Sequence, residues 1–191
     1  MKRLTLVSSI LALAAPLAMA QATNWVSDSH HSEVDFTITH LTISNVHGRF
    51  GKVDATLVYN QADVTKSTVT ATIDVATVDT GEEARNSHLK TPDFFDVAKF
   101  PAATFTSTSV AKSGNNLLVT GNFTLHGVTK PIVLTVEGPT GPVEGMDHKQ
   151  HAGFTATTTI TRSAFGIGGK FPNAVLGDDI KLNIELDVAK Q

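Results

Sequence analysis

The sequence predicts an all-β chain, an extended eight-stranded antiparallel barrel with a short helical insertion around residues 82–97. Three observations carry that reading. Eight stretches alternate apolar and polar residues with period two. Most of the turns between them are short and rich in Gly, Asn and Ser, which suits antiparallel hairpins patterned on one side. Only one internal stretch reads as helical. An open sheet of this size has exposed edges, and closure removes them. An eight-stranded barrel has an interior wide enough for packed side chains or one small ligand.

The chain opens on a targeting pattern. Lys2 and Arg3 form a positive segment, Leu4 to Leu17 is apolar, and Ala18-Met19-Ala20 is a small-x-small cleavage site. The expectation is a signal peptide over residues 1–20, a mature chain from Gln21 to Gln191 forming one domain, and a periplasmic protein, with full secretion an open alternative. Loss of Lys2 and Arg3, with no acid lost, moves the formal charge from −3 to −5. That balance argues against nucleic acid. With no cysteine in the chain, disulfides, thiol catalysis and Cys-type zinc sites are excluded.

In order, Gln21 to Asp28 is a polar lead holding the only tryptophan, Trp25. Val34, Phe36, Ile38 and His40 share one face of the first strand. Val46 to Phe50, with Gly48 and Gly51, reads as a bend or bulge. The second strand carries Val53, Ala55, Leu57 and Tyr59, and the third Val69, Ala71, Ile73 and Val75. The fourth, Ala103 to Val110, contains Phe105. Ser113 to Asn116 is a hairpin turn, after which Leu117, Val119, Gly121, Phe123 and Leu125 line up. His126-Gly127 turns the chain into the sixth strand, with Ile132, Leu134 and Val136. Gly138 to His151 reads as a long loop. Phe154, Ala156, Thr158 and Ile160 form the seventh strand, which ends in Arg162. Ser163 to Asp179 reads as irregular. Ile180 to Val188 alternates strictly and is the eighth.

The stretch from Val78 to Phe105 breaks this rhythm. Thr80 is the expected N-cap of a helix over Glu82 to Leu89, with Thr91-Pro92-Asp93 a second start. Phe94 and Phe95 follow. Rings beside Arg85, His88 and Lys90 suit either the mouth of a container or a plug with its charges in water.

The histidines do not have metal-ligand spacing. No His-x-His or His-x-x-x-His pair has a third ligand on the same element, and His30 and His31, if in a strand, face opposite ways. No resident metal is expected, although His148 and His151 share a loop that can hold an adventitious ion. Ser32 beside His31 is a dipeptide and not a catalytic pair. Asp28 and His31 can share hydrogen bonds with Arg162 or Arg85, either for chemistry or to close a barrel end. Large inner residues (Phe36, Ile38, Ile73, Phe105, Phe123, Phe154, Ile160) alternate with small ones (Ala71, Ala103, Ala156), which fits a cavity or dense packing.

Asp28-x-x-His31-Ser32, Val46-x-Gly48-x-Phe50, Val78-Asp79-Thr80-Gly81, Arg85-x-x-His88-Leu89, Phe94-Phe95-Asp96, Phe100-Pro101, Thr120 to Leu125, Arg162-Ser163-x-Phe165-Gly166 and Val175 to Leu186 occur in this order. Together they resemble the YceI family of exported lipid-binding proteins, across essentially the whole mature chain. The resemblance implies a lipocalin-like barrel that holds a polyisoprenoid or another long amphiphile, with no cofactor and no catalysis. The candidate ligand-binding residues are then Phe36, Ile38, His40, Phe50, Ile73, Arg85, His88, Phe94, Phe95, Phe105, Phe123, Phe154, Ile160, Arg162 and Phe165. The expected partner is an isoprenoid or fatty-acid-like molecule, with transient membrane contact and a homodimer as further expectations. Two other classes compete: a stress-response interaction module with a filled barrel, and a weak hydrolase or metal enzyme using Asp28, His31 and His88. A tail burying roughly ten methylenes gains about 8 kcal/mol gross, against an association cost of several kcal/mol.

Overall fold

The computed structural model describes residues 22–191, so the expected signal segment lies outside the described residues. Its strands are β1 (Thr23–Ser27), β2 (Glu33–His40), β3 (Ser44–Phe50), β4 (Val53–Tyr59), β5 (Thr68–Asp74) and the two-residue β6 (Val78–Asp79). The one α-helix among the described residues, α1 (Glu83–Leu89), precedes β7 (Ala102–Ser113), β8 (Asn116–Leu125), β9 (Val128–Glu144), β10 (Gln150–Thr161) and β11 (Leu176–Lys190).

Three staves of the barrel are broken strands. β1 and β2 both pair antiparallel with β11, through Ser27↔Val188 and Val34↔Ile184. β4 pairs with β1 while β3 pairs with β2, and β5 and β6 continue the pattern. Taken as β1/β2, β3/β4, β5/β6 and β7 to β11, these make eight staves, each antiparallel to its neighbours in chain order. Pairing of β1 with β11 closes the ring. Both irregular segments, 80–101 and 162–175, cover the same end. The Gly168 amide donates to the Asp93 carbonyl at 3.1 Å, and the Phe94 and Phe171 rings stack at 5.2 Å.

The structure corrects several local expectations. Trp25 is not in a lead but in β1, where its ring joins a buried cluster with Ala55, Leu57, Ala152 and Val188. Residues 46–50 are not a bulge but most of β3. The expected loop at 138–151 shrinks to residues 145–149, because β9 and β10 extend into it, and β11 begins at Leu176. Glu82, not Thr80, caps α1, with its carboxylate accepting from the Ala84 and Arg85 amides. Thr91 starts no second helix. Its hydroxyl donates to the His88 carbonyl at 2.8 Å, and residues 91–99 run as turns.

The glycine at position 48 is dictated by its neighbour across the strand pair. It pairs directly with Phe36, and a Cβ at position 48 would lie 2.3 Å from the Phe36 ring. The ring therefore rests on bare backbone across the strand pair. Phe105 covers Gly121 in the same way, at 2.3 Å. Replacing Gly48 by Val should lower stability by about 1–3 kcal/mol, as overpacking does. Urea unfolding measures it. An unchanged midpoint would show that the Phe36 ring has room to move.

Candidate ligand-binding cavity

The barrel is hollow. A cavity of about 430 Å³ runs through it, within the range of small-molecule sites. One end of its wall is formed by His40, Val46, Thr80, Arg85, His88, Leu89, Phe171, Val175 and Leu176, the other by Val58, Tyr59, Ser67, Thr68 and Leu117. Between them the wall is apolar, apart from the edge of Arg162. Strict alternation supplies it: Ile180, Leu182, Ile184 and Leu186 of β11, Val69, Ala71 and Ile73 of β5, and Val119 and Phe123 of β8 all project inward. The inward residues of β11 from Ile180 to Leu186 stay partly accessible although their neighbours pack, so their accessible faces border the void.

All the candidate ligand-binding residues except Phe165 line this cavity. Phe165 is 2% exposed and packs edge-on against Phe123, so it supports the wall from behind. Phe94 and Phe95 take both expected roles, since they are buried plugs of one end and also wall residues. His40 has the inner parity but sits at the end of β2, exposed at the rim. Lys90 does not border the cavity. Sequence reasoning missed Leu182, Ile184 and Leu186, although β11 parity marks them. It also missed Thr80, Leu89 and Phe171, which local pattern does not reveal.

Arg162 is not free for a ligand. It is 2% exposed, and its guanidinium donates to the carbonyls of Ile167 (3.0 Å), Gly168 (2.8 Å), Phe171 (2.8 Å), Leu176 (2.9 Å) and Gly177 (2.9 Å), and to Asn173 Oδ1 (3.2 Å). The segment 162–177 is thus wound around one side chain. Asp178 lies 3.9 Å from Nε and holds Ser163 through its hydroxyl and its amide. The expected link from Arg162 or Arg85 to Asp28 and His31 does not form, because both guanidinia are engaged elsewhere.

Arg85 is exposed at the rim of the helical end. Its Nε donates to Thr80 Oγ1 at 2.8 Å and one Nη2 hydrogen to the Thr80 carbonyl at 2.9 Å. Thr80 Oγ1 in turn donates to the buried Asn86 Oδ1 at 2.7 Å, and Asn86 donates to Asp79. This relay aims the guanidinium while its Nη1 hydrogens stay uncommitted among the described residues. His88 Nε2 lies 3.4 Å from Asp93, and its ring meets Phe94 edge-on at 5.0 Å. The Asp93 carboxyl is held below the ordinary carboxylate range by Lys170 first and His88 second. Asp178 is lowered chiefly by the Ser163 hydroxyl. The buried Ser32 hydroxyl donates to the Asp187 carbonyl at 3.2 Å.

The YceI-like domain family matches residues 25–188. The chain belongs to this family. A UPF0312 protein of Vibrio cholerae is 35% identical over 190 residues, 98% of this chain and 96% of its own. A Campylobacter jejuni YceI protein of known structure superposes with a TM-score of 0.71 at 36% identity, covering 81% of this chain and 90% of that one. A polyisoprenoid binding domain from Saccharophagus degradans shares the fold, with a TM-score of 0.66 at 18% identity over 87% of this YceI-family chain and 98% of the other.

Two predictions follow from this end of the barrel. Lys in place of Arg162 keeps the charge but has three donors instead of five, so buried carbonyls lose partners. Denaturant unfolding should show a loss of about 3 kcal/mol. A change below about 0.5 kcal/mol would mean that the loop repacks without the fork. Asp93 and Asp178 also set a pH dependence. Their folded values lie below the ordinary 3.8, so the stability they contribute is present above that value and is lost as pH falls through the lower folded values. Amide protection in 162–178 and 90–100 should decline below about pH 4, before protection of the strands. Simultaneous loss of both would contradict this.

Proposed function

We propose that this YceI-family barrel binds a long-chain amphiphile, an isoprenoid quinone, polyprenyl chain or similar lipid, and carries it through the periplasm after signal-peptide cleavage. One observation carries the reading: a cavity of about 430 Å³ has an apolar middle and hydrogen-bonding groups at its ends. A wall of that kind suits a tail without hydrogen-bonding groups. The Arg85 guanidinium and His88 at the helical rim suit an oxygen-bearing head. The polyisoprenoid binding domain that shares the fold supports the choice of tail class.

The void adds a thermodynamic argument. Apolar wall atoms that face an unfilled void lack contact partners on that side. A tail that fills it restores those contacts. The protein acts here as a binder and not as a catalyst, and needs no cofactor. A filled-barrel interaction module, the competing expectation, does not account for the void. Transient contact with a membrane is supported by Leu41 and Ile43, 46% and 82% exposed on the turn next to rim residue His40.

Native mass spectrometry of protein purified without refolding should detect a discrete adduct that extracts as a long-chain lipid. Removing it should lower the thermal midpoint, and adding back an isoprenoid quinone should restore it. The cavity-filling change Ala71→Trp should weaken quinone binding at least tenfold while the fold is retained, because Ala71 borders the void. Full binding by that variant would place the ligand elsewhere.

A further inference from the structure

A second cluster lies outside the barrel, where β1 gives way to β2 along β11. Asp28 and His31 sit on the turn between those strands, and Asp187 sits on β11. Each offers a ligand atom, and the three atoms lie within 4.8 Å of one another. None of these residues borders the lipid cavity.

The backbone assembles the trio before any ligand arrives. The Asp28 amide donates to the Asp187 carbonyl at 2.8 Å, the Ser32 hydroxyl donates to that same carbonyl, and the Asp187 amide donates back to Ser32 Oγ at 3.2 Å. Ser32 is 3% exposed, so this clasp is buried. Each carboxylate is then anchored by one oxygen. Asp28 Oδ1 accepts from the His30 amide at 2.9 Å, and Asp187 Oδ1 accepts from His151 Nδ1 at 2.7 Å. The outward oxygens remain. Asp28 Oδ2 faces His31 Nδ1 at 2.8 Å, and Asp187 Oδ2 has no protein partner among the described residues. His151 is itself steadied by Asp147, 3.1 Å from its Nε2.

We infer that Asp28, His31 and Asp187 form a binding site for a divalent transition-metal ion of the zinc class. Two carboxylates and a neutral imidazole supply two negative charges and a mixed oxygen–nitrogen donor set, which suits zinc better than magnesium or calcium. A four-coordinate shell with bonds of about 2.0–2.1 Å has edges of ~3.3 Å, so the Asp28–His31 pair, now hydrogen-bonded at 2.8 Å, opens slightly around the ion while any atoms farther apart, all within 4.8 Å, close on it. The fourth position is left to water. His151 takes the outer role, holding Asp187 through the hydrogen bond to Oδ1 and leaving Oδ2 for the metal. The ion would staple the β1–β2 turn to β11 at the seam where the barrel closes, so binding stabilises the folded chain by mass action.

The test is calorimetric titration of the chelator-treated mature chain with Zn²⁺ alone, paired with thermal unfolding. One equivalent should bind, and the midpoint should rise with Zn²⁺ concentration. His31→Ala and Asp187→Asn should each weaken binding at least tenfold and abolish the midpoint rise, while His31→Cys, which restores a zinc ligand, should keep both. His148→Ala removes the exposed histidine of the 145–149 turn and should change affinity less than twofold. Circular dichroism of the metal-free variants separates lost binding from lost folding, and His31→Ala, on an exposed turn, is the variant expected to stay folded. No saturable uptake would overturn the inference. So would uptake that survives His31→Ala and disappears with His148→Ala.

Discussion

A single buried cation sets the shape of the cavity's entrance. Arg162 directly follows β10 with its side chain buried, and removing a guanidinium from water is costly unless its donors and charge are met. Here they are met mainly by backbone carbonyls of the residues that follow it. The consequence is geometric. A glycine-rich segment that strand periodicity cannot organise is wound into one conformation around one planar fork. That segment then fixes the other irregular stretch, because Gly168 binds the Asp93 carbonyl, Lys170 binds the Asp93 carboxylate, and Phe171 stacks on Phe94. Two loops that cross the same end become one rim.

A hollow barrel faces opposite demands. Closure has to bring inner side chains together, and the void has to keep some of them apart. The solution is graded along the barrel. Near the rim, Phe50, Phe94, Phe95 and Phe165 pack as a buried floor and wall. At the far seam, Trp25, Ala55, Leu57, Ala152 and Val188 form a second small core. Between them Ala71, Ala103 and Ala156 leave the space that their larger neighbours would otherwise fill. Gly48 and Gly121 serve the same end, letting Phe36 and Phe105 lie flat across a neighbouring strand.

Much of this is legible in the residues, and the failures have a pattern. Period-two alternation marks each long strand and the inner wall, because a strand's two faces meet different solvents. It misses β1, which has only five residues, and β3, in which only Phe50 is buried. It misreads 138–151, where prolines and glycines sit in the extended ends of paired strands. It misses the role of Arg162, which the family resemblance makes a ligand-binding candidate and the fold assigns to carbonyls up to 15 residues later. The Asp28–His31–Asp187 cluster is invisible to spacing rules, since its third member lies 156 residues beyond the second and only barrel closure brings them together.

The division of polarity within the cavity determines where selectivity can reside. An apolar wall distinguishes tails by the length and bulk they bury, and one methylene is worth only about 1–3 kcal/mol. Such a wall accepts an isoprenoid and a straight chain of similar volume with little preference. Discrimination by head group requires placed donors, and among the wall residues the side-chain donors cluster at the ends. Arg85 is the group best prepared for it, because the Thr80–Asn86–Asp79 relay fixes one edge of its fork and leaves the other edge open. That relay depends on α1 and on the two-residue β6, which ends its stave at Asp79. On the proposed reading, selectivity for a tail therefore lies in the barrel wall, whereas selectivity for a head group lies with the short helical insertion that carries Arg85 and His88.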